Sequence, residues 1–236
     1  MKTSRVLLVI ADIGGYTAYM QSHRSMLGHA EAATTRLLKR VIGAARGFEL
    51  IEIEGDAAFL SRDVSGLDGA AALAAVNEAA VAMHGAFHAE RRLVERNLCP
   101  CESCTQTSEL KLKFVAHVGD VAVQTIKRRR KLVGMDVILV HRLLKNRVPV
   151  AEYVLLSEDL HHGGVTTADR EAHELSMDLE GIGPVKTYFV EVSELPGPVT
   201  AVPDPSGLQR LGGTLSIVGR GLPYALRLRR PTLIAR

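Results

Sequence analysis

Two aspartates stand beside glycines where apolar runs of the sequence end. Asp12 closes the run that starts at Val6 and precedes Gly14 and Gly15, and Asp56 lies inside "EIEGDAAFL". A carboxylate at the end of a buried strand is costly to remove from water unless it finds a partner. Two such groups that converge can hold a divalent cation, because Mg²⁺ binds one or two carboxylates together with phosphate oxygens and waters. Taken singly, either aspartate could instead be an ordinary turn or helix-capping residue.

The residues after Asp12 add a pattern that suits phosphate. Gly14 and Gly15 let backbone N–H groups come close to phosphate oxygens at the start of the following helix. The two aspartates and this glycine turn together predict a site for Mg²⁺ or Mn²⁺ and a ligand that carries phosphate.

A second candidate site is the segment "CPCESC", which holds all three cysteines of the chain, Cys99, Cys101 and Cys104. Thiolates at this spacing can chelate Zn²⁺, which usually takes four ligands. Because there is no fourth cysteine, a histidine or a partner chain must complete the set. The histidine candidates are His84, His88 and His117. A bound metal would have a structural role, and the alternatives are a redox pair or reduced surface thiols.

The composition is that of an ordinary globular protein. The 236 residues are 47% hydrophobic and 23% charged, which suits one sizeable domain. The first 195 residues carry a net charge of −2 and give no electrostatic reason to expect nucleic acid, whereas the segment from Pro196 onward has six arginines and one aspartate. The sequence contains no run of about 18 apolar residues and therefore predicts no membrane span. The cysteine usage indicates the cytoplasm.

Hydrophobic periodicity predicts strands and helices in an order that favours an α+β fold, a mostly antiparallel sheet with helices packed on it. The predicted helices include Tyr16–Ala45 and Gly69–Asn97, and the predicted strands include Val6–Asp12, Leu110–Asp120 and Val121–Ile126. The sequence also predicts a hairpin over Phe48–Leu60, a loop over Cys99–Ser108 and a basic turn over Lys127–Lys131 ("KRRRK"). Residues 1–195 form this domain, and residues 196–236 form a basic tail rich in proline and glycine.

Several motifs resemble the catalytic domain of class III adenylate/guanylate (nucleotidyl) cyclases. The segment "VLLVIADIGGYTAYM" and the later "EIEGDAAFL" resemble that family's Asp-Ile-x-Gly-Phe-Thr strand end and its Gly-Asp hairpin turn. "KFVAHVGDVAVQTI" resembles its central hairpin, "VGMDVILVHRLLK" its arginine-bearing helix, and "VLLSE" and "GIGPVKTYFVEV" its closing strands. The resemblance covers about residues 5–193 and implies a ferredoxin-like cyclase-homology domain. The Cys-x-Cys-x-x-Cys loop is similar to one in a bacterial branch of that superfamily.

The resemblance implies a role for each matching residue. Asp12, Asp56 and the carbonyl of Ile13 would hold two Mg²⁺ or Mn²⁺, and Arg142 would stabilise the transition state. Glu52 matches a position that reads the purine and is similar to guanylyl cyclases there. The residues that match the phosphate-binding turn are Gly14, Gly15, Tyr16 and Thr17.

Other positions depart from the family's pattern. Ile138 stands where the family has an asparagine, and it cannot donate a hydrogen bond to the transition state. Loss of one such donor typically costs ~10²–10³ in rate. Lys131 replaces the usual second purine-reading residue, and the positions of the triphosphate-binding lysines hold Glu180 and Ile182. "KRRRK" could supply replacement cations or be a solvated loop.

Three functions remain open at this point. The first is a cyclase-like domain that binds a divalent metal and a nucleoside triphosphate, with incomplete catalytic machinery and a signalling role. The second is an active, divergent cyclase that makes a cyclic nucleotide and is a phosphorus–oxygen lyase. The third is a metal- or redox-responsive protein in which the cysteine loop acts and the cyclase fold is a scaffold. The resemblance also implies a head-to-tail homodimer.

Overall fold

An eight-stranded sheet with helices on both faces forms the body of the protein. The computed structural model describes residues 3–23, 27–99, 101–127, 129–164, 172–195 and 204–215. The strands are β1 (Thr3–Gly14), β2 (Glu49–Glu54), β3 (Ala57–Asp63), β4 (Lys111–Ile126), β5 (Arg129–Val133), β6 (Tyr153–Ser157), β7 (His173–Leu179) and β8 (Gly183–Glu191). The helices are α1 (Tyr16–Ser22), α2 (Leu27–Ala44), α3 (Gly69–Glu95), α4 (Glu102–Thr105), α5 (Met135–Leu143), α6 (Glu158–Gly164) and α7 (residues 207–215).

The strand order confirms the α+β prediction. It runs β2-β3-β1-β4-β6-β8-β7, and β5 pairs with the end of β4. Only the β4–β6 pairing is parallel among the described strands; the others are antiparallel. The central strand β1 pairs with β3 on one side and β4 on the other. The residues that end β1 therefore lie between two neighbours.

Two apolar layers explain why β1 is an unbroken hydrophobic run. Leu7, Val9 and Ile13 pack in one core layer with α2 and α3. Leu8 and Ile10 pack on the other face in a second layer that includes residues of α5. Since successive strand residues point to opposite faces, covering both faces buries every position of the run.

Helix α3 is long and apolar because it is a core element. It is the one described helix whose length and composition would suit a membrane span, a criterion that core helices of soluble proteins also meet. Its Met83 and Phe87 are fully buried in the layer beneath the sheet. Glu90, also buried, accepts hydrogen bonds from Arg36 Nε at 2.7 Å and Arg40 Nε at 2.9 Å. This charged contact holds α3 to α2.

Several sequence-based boundaries are corrected by tertiary pairing. The predicted helix Tyr16–Ala45 is two helices, α1 and α2. The predicted strands Leu110–Asp120 and Val121–Ile126 are the single strand β4, because β1 pairs with it from Lys111 to Ala122. The basic run 127–131 is not simply a turn, since β5 starts at Arg129 and pairs with the end of β4. The predicted cysteine loop contains α4 followed by a 3₁₀ turn.

Part of the predicted tail lies against the end of α3. Arg92 Nε donates to Asp204 Oδ1 at 2.8 Å, Arg210 Nε donates to the Arg96 carbonyl at 2.6 Å, and the Leu98 amide donates to Thr214 Oγ1 at 2.9 Å. The C-terminal stretch "RLRRPTLIAR" lies outside the described residues.

Candidate metal and nucleotide site

The two aspartates singled out by the sequence are neighbours in the sheet. Asp12 of β1 pairs in register with Ala57 of β3, and Asp56 is the turn residue just before Ala57. The Ile13 amide donates to the Asp56 carbonyl at 3.3 Å, which ties the turn to the strand. The turn bends at Gly55, whose φ of 64° is left-handed and favours glycine. The local chain thus brings the end of β1, with Asp12, next to the β2–β3 turn, with Asp56.

The charge of Asp12 acts on the neighbouring carboxyl group of Asp56. Partial burial, and next the charge of Asp12, raise the pKa of Asp56 above its ordinary value. Lys113 of β4 is the cross-strand partner of Asp12, and its Nζ lies 3.1 Å from Asp12 Oδ2. Burial alone would lower the pKa of Lys113, but Asp12 and other acidic groups raise it overall. The cluster therefore holds two acids and one fixed cation.

The glycine turn follows directly after the aspartate. Gly15 has a left-handed φ of 83° and caps α1, so a side chain there would be strained. Tyr16 begins α1, and burial together with the Asp56 charge raises the pKa of its hydroxyl. Gly14 and Thr17 flank this turn. Residues 12–17 and Asp56 are one local unit, as the sequence predicts.

The residues matched to base recognition lie on two strands of the sheet, and the residue matched to catalysis lies on helix α5. Glu52 is exposed on β2, and Lys131 is exposed on β5. Arg142 of α5 donates to Glu180 Oε2 at 2.6 Å, and this contact lowers the pKa of Glu180. Ile138, one turn before Arg142, is 47% exposed. The arginine that the resemblance assigns to the transition state thus already has a carboxylate partner.

The basic run contributes no described cation to the carboxylate pair. Arg130 donates to Glu49 Oε1 of β2 at 3.0 Å. Both side chains are mostly exposed, so the contact adds little stability. Its effect is to link β5 to the edge strand β2.

The three cysteines gather around a histidine that the sequence analysis did not select. His29 of α2 has its Nδ1 3.4 Å from Cys101 Sγ and 3.9 Å from Cys99 Sγ. Ligand atoms of these residues and of Cys104 all lie within 4.8 Å of one another. The cluster is half-buried, with the Cys104 side chain fully enclosed.

The histidines expected to complete that set lie elsewhere. His84 and His88 of α3 both contact Glu152, which precedes β6, at 3.2 Å and 2.9 Å. His117 is buried in β4, with Nδ1 2.8 Å from Ser157 Oγ and Nε2 3.1 Å from Asp136 Oδ1. The expectation that one of these three meets the cysteines is corrected, because each has its own polar partner.

Sequence reasoning missed Lys113, His29 and Glu152 for the same reason. Lys113 reaches Asp12 through strand register, His29 reaches the cysteines through the packing of α2, and Glu152 reaches His88 through the position of β6. The i, i+4 spacing of His84 and His88 was the one local signal of a shared polar contact on α3.

The architecture is that of a nucleotidyl cyclase catalytic domain. The chain matches the guanylate cyclase domain of RhGC from Catenaria anguillulae, a structure solved in complex with GTP, with a TM-score of 0.57 and 18% identity, covering 80% of this chain and 97% of that one. It matches the adenylyl cyclase CyaB from P. aeruginosa with a TM-score of 0.51 and 16% identity, covering 87% of this chain and all of that one. At these identities the likeness shows the fold.

At the level of sequence, the chain belongs to the family described as "Protein of unknown function (DUF2652)", whose model matches residues 34–153. It is 37% identical over 196 residues to the "Uncharacterized protein Rv2561/Rv2562" of Mycobacterium tuberculosis, covering 83% of this chain and 90% of that protein.

Proposed function

We propose that this protein is a nucleotidyl-cyclase-like domain that binds a divalent metal and a nucleoside triphosphate, turns it over slowly or not at all, and acts in cytoplasmic signalling. One observation carries the proposal: Asp12 at the end of β1 and Asp56 in the turn before β3 are neighbours in a cyclase fold, and the charge of Asp12 contributes to the raised pKa of Asp56. A carboxyl group whose pKa is raised by burial and by a neighbouring charge is typical of functional sites.

The donor set suits Mg²⁺ or Mn²⁺. Two carboxylates and the Ile13 carbonyl are hard oxygen ligands, the kind these ions prefer. The raised pKa of Asp56 fits as well, because a bound cation would relieve the repulsion between two ionised acids. Lys113 already neutralises part of the charge on Asp12, so a metal must share that carboxylate with the ammonium.

A nucleoside triphosphate is the ligand that the surroundings favour. The left-handed turn at Gly15 exposes backbone next to the carboxylates, and Glu52 is exposed on β2 for contact with a base. The structurally similar RhGC domain was solved with GTP. In this chain, Asp12 and Asp56 would position metal and phosphates, and Glu52 would contact the purine.

Slow turnover is expected because two residues depart from the family's pattern, one on α5 and one in the segment before β8. Ile138 offers no hydrogen-bond donor where the family has an asparagine. Glu180 places a negative charge beside Arg142 where the resemblance implies a lysine. A carboxylate there competes with a developing negative charge for the guanidinium, so both changes weaken stabilisation of the transition state.

A homodimer is favoured by exposed apolar side chains on neighbouring elements. They are Leu50 and Ile53 of β2, Val123 and Ile126 of β4, and Met135 and Ile138 of α5. β5 contacts both β2 and α5 and pairs with the end of β4. Exposed apolar side chains gathered on neighbouring elements favour an interaction site.

A redox function of the cysteine loop is less well supported. Burial raises the pKa of the Cys101 thiol and raises that of Cys104 to about 12. Because the thiolate is the reactive form, such thiols are poor redox nucleophiles. The cluster suits a metal better than thiol chemistry.

The proposal is tested by the thermal unfolding midpoint with ATP, GTP, CTP and UTP, each with Mn²⁺. A ligand that binds only the folded state raises this midpoint, so at least one nucleotide must raise it in the wild type. The Asp12→Asn/Asp56→Asn variant should lose the rise. If no nucleotide changes the midpoint, the binding proposal is wrong.

Turnover is tested separately by mass detection of cyclic nucleotide after incubation with Mn²⁺. We expect a low or undetectable amount. Product at the level of efficient cyclases, abolished in Asp56→Asn, would instead establish the active-cyclase alternative.

A further inference from the structure

We propose that His29, Cys99, Cys101 and Cys104 form a four-ligand Zn²⁺ site that fastens the start of α2 to the segment between α3 and β4. The inference rests on the side-chain cluster alone and does not depend on nucleotide binding. It concerns none of the residues of the carboxylate pair, and it gives the cysteine loop a fourth ligand from within the chain.

The distances fit a tetrahedral ion. Zn–S bonds of about 2.3 Å and Zn–N bonds of about 2.0–2.1 Å give sulfur–nitrogen edges of roughly 3.5 Å and sulfur–sulfur edges of roughly 3.8 Å around a tetrahedron. The distances from His29 Nδ1 to Cys101 Sγ and Cys99 Sγ are 3.4 Å and 3.9 Å. All four ligand atoms lie within 4.8 Å of one another. Four converging N/S ligands form a closed set, which is typical of a structural rather than a catalytic zinc site.

The backbone shapes the cysteine segment as a ligand loop. Cys101 precedes α4, and the amide of Cys104 donates to the Cys101 carbonyl at 3.0 Å, so a tight turn places the two residues on one side. The Cys99 amide donates to Asn97 Oδ1 at 2.6 Å, which fixes the residue at the end of α3. These contacts preorganise three thiols without any contribution from the metal.

Packing around the cluster is thin, and a metal would strengthen it. Cys104 shares a small core with Ala33 of α2 and Val94 of α3, separate from the two main layers. Two such small side chains bury little apolar surface. A Zn²⁺ ion that joins α2 to the cysteine segment would supply the cross-link that this cluster lacks.

The site also lies next to α1. The Tyr19 hydroxyl of α1 donates to the Ser103 carbonyl between Cys101 and Cys104. Tyr19 is buried, and its hydroxyl pKa is raised by burial and by the nearby Cys104 and Cys101. Bound zinc therefore stabilises the cysteine loop that Tyr19 of α1 contacts. Helix α1 begins at Tyr16, directly after the glycine turn.

The first test measures zinc in protein purified without chelator, by elemental analysis. We expect about one equivalent per chain at this site. His29→Ala and Cys104→Ser should lose it, whereas the matched variant His84→Ala should keep it, because His84 contacts Glu152 and not the cysteines.

Cobalt distinguishes this site from any metal held by His84 and His88. Co²⁺ in place of Zn²⁺ should give thiolate-to-cobalt charge-transfer absorption in the wild type and in His84→Ala, with a loss in His29→Ala. The same absorption in His29→Ala as in the wild type would remove His29 from the ligand set.

A measurement on the unmodified chain covers the case in which a variant fails to fold. Chelator should lower the thermal midpoint of the wild type, and stoichiometric Zn²⁺ should restore it with release of protons from the thiols. Wild-type protein that contains no zinc, binds none, and has three freely titrating thiols would overturn the proposal.

Discussion

Asp56 lies in surroundings that disfavour its ionised form. Burial and the charge of Asp12 raise its pKa, so the ionised carboxylate is less stable in the folded chain than in the unfolded one. The folded state therefore binds this proton more tightly, and Asp56 contributes stability at low pH that is lost as the pH rises through its folded pKa. A bound cation reverses that loss.

We expect Asp56→Asn to raise the thermal midpoint in the absence of divalent metal. The amide removes the repulsion by Asp12, while Lys113 keeps its ion pair with Asp12. The difference from the wild type should grow as the pH rises from the ordinary pKa of an aspartate through the raised pKa of Asp56, because the wild-type carboxylate ionises over that interval. A lower midpoint of the variant at every pH would contradict this account of Asp56.

Arg142 and its surroundings allow a gain-of-function prediction. Ile138→Asn with Glu180→Lys restores a donor and removes the carboxylate that engages Arg142. Ile138 is exposed enough for asparagine to replace it without loss of packing. We expect cyclic product from GTP or ATP with Mn²⁺ to rise ~10²-fold, the effect of one transition-state donor.

The control for this experiment is the same double variant carrying Asp56→Asn, which should form no product. If the double variant folds and binds nucleotide but forms no more product than the wild type, the two substitutions do not explain slow turnover.

At the scale of elements, the contact between α2 and α3 is a charged one inside a largely apolar layer. Glu90 is 4% exposed and accepts from two arginines of α2, of which Arg36 is itself nearly buried. Removing one partner of a buried pair leaves an uncompensated charge, which costs more than the pair contributes.

We expect Glu90→Gln to lower the free energy of unfolding by about 3 kcal/mol, the low end for a broken buried pair, because Arg40 can turn toward water. Urea unfolding measures this change. Glu78→Gln, at an exposed position of the same helix, should change it by less than about 0.5 kcal/mol. Equal effects of the two variants would show that the arginine contacts of Glu90 contribute nothing.

The sequence predicted features that arise from local contacts and missed features that arise from non-local contacts. The α+β fold, the Asp12 turn and the β2–β3 hairpin depend on residues close in sequence, so periodicity and glycine placement indicated them. The partner of Asp12 depends on the register of β1 with β4, and His29 meets the cysteines only because α2 packs beside the cysteine segment. No local pattern encodes either contact.

At the scale of the whole molecule, exposed apolar side chains on β2, β4 and α5 predict self-association. Ile53 is 51% exposed and Ile126 is 56% exposed. Substitution of exposed residues changes monomer stability little, so Ile53→Asp/Ile126→Asp should weaken a dimer. The thermal midpoint should stay nearly unchanged at protein concentrations too low for the wild type to associate.

Sedimentation equilibrium over a range of concentrations measures this association. The matched control is the Leu208→Asp variant, which should leave the association unchanged. Leu208 is a highly exposed apolar residue on α7. A wild-type chain that stays monomeric at high concentration with metal and nucleotide present would contradict the dimer.

We propose that Asp12 and Asp56 together hold a divalent metal with a nucleotide. Titration of Mn²⁺ against the protein, read from the paramagnetic resonance signal of free Mn²⁺ with and without GTP or ATP, tests it most directly. We predict that the wild-type protein lowers the concentration of free Mn²⁺ more when a nucleotide is present, after the Mn²⁺ bound by the nucleotide alone is subtracted. The Asp12→Asn/Asp56→Asn variant should show no such increase in Mn²⁺ binding. Equal Mn²⁺ binding by the wild type and the double variant would contradict the account.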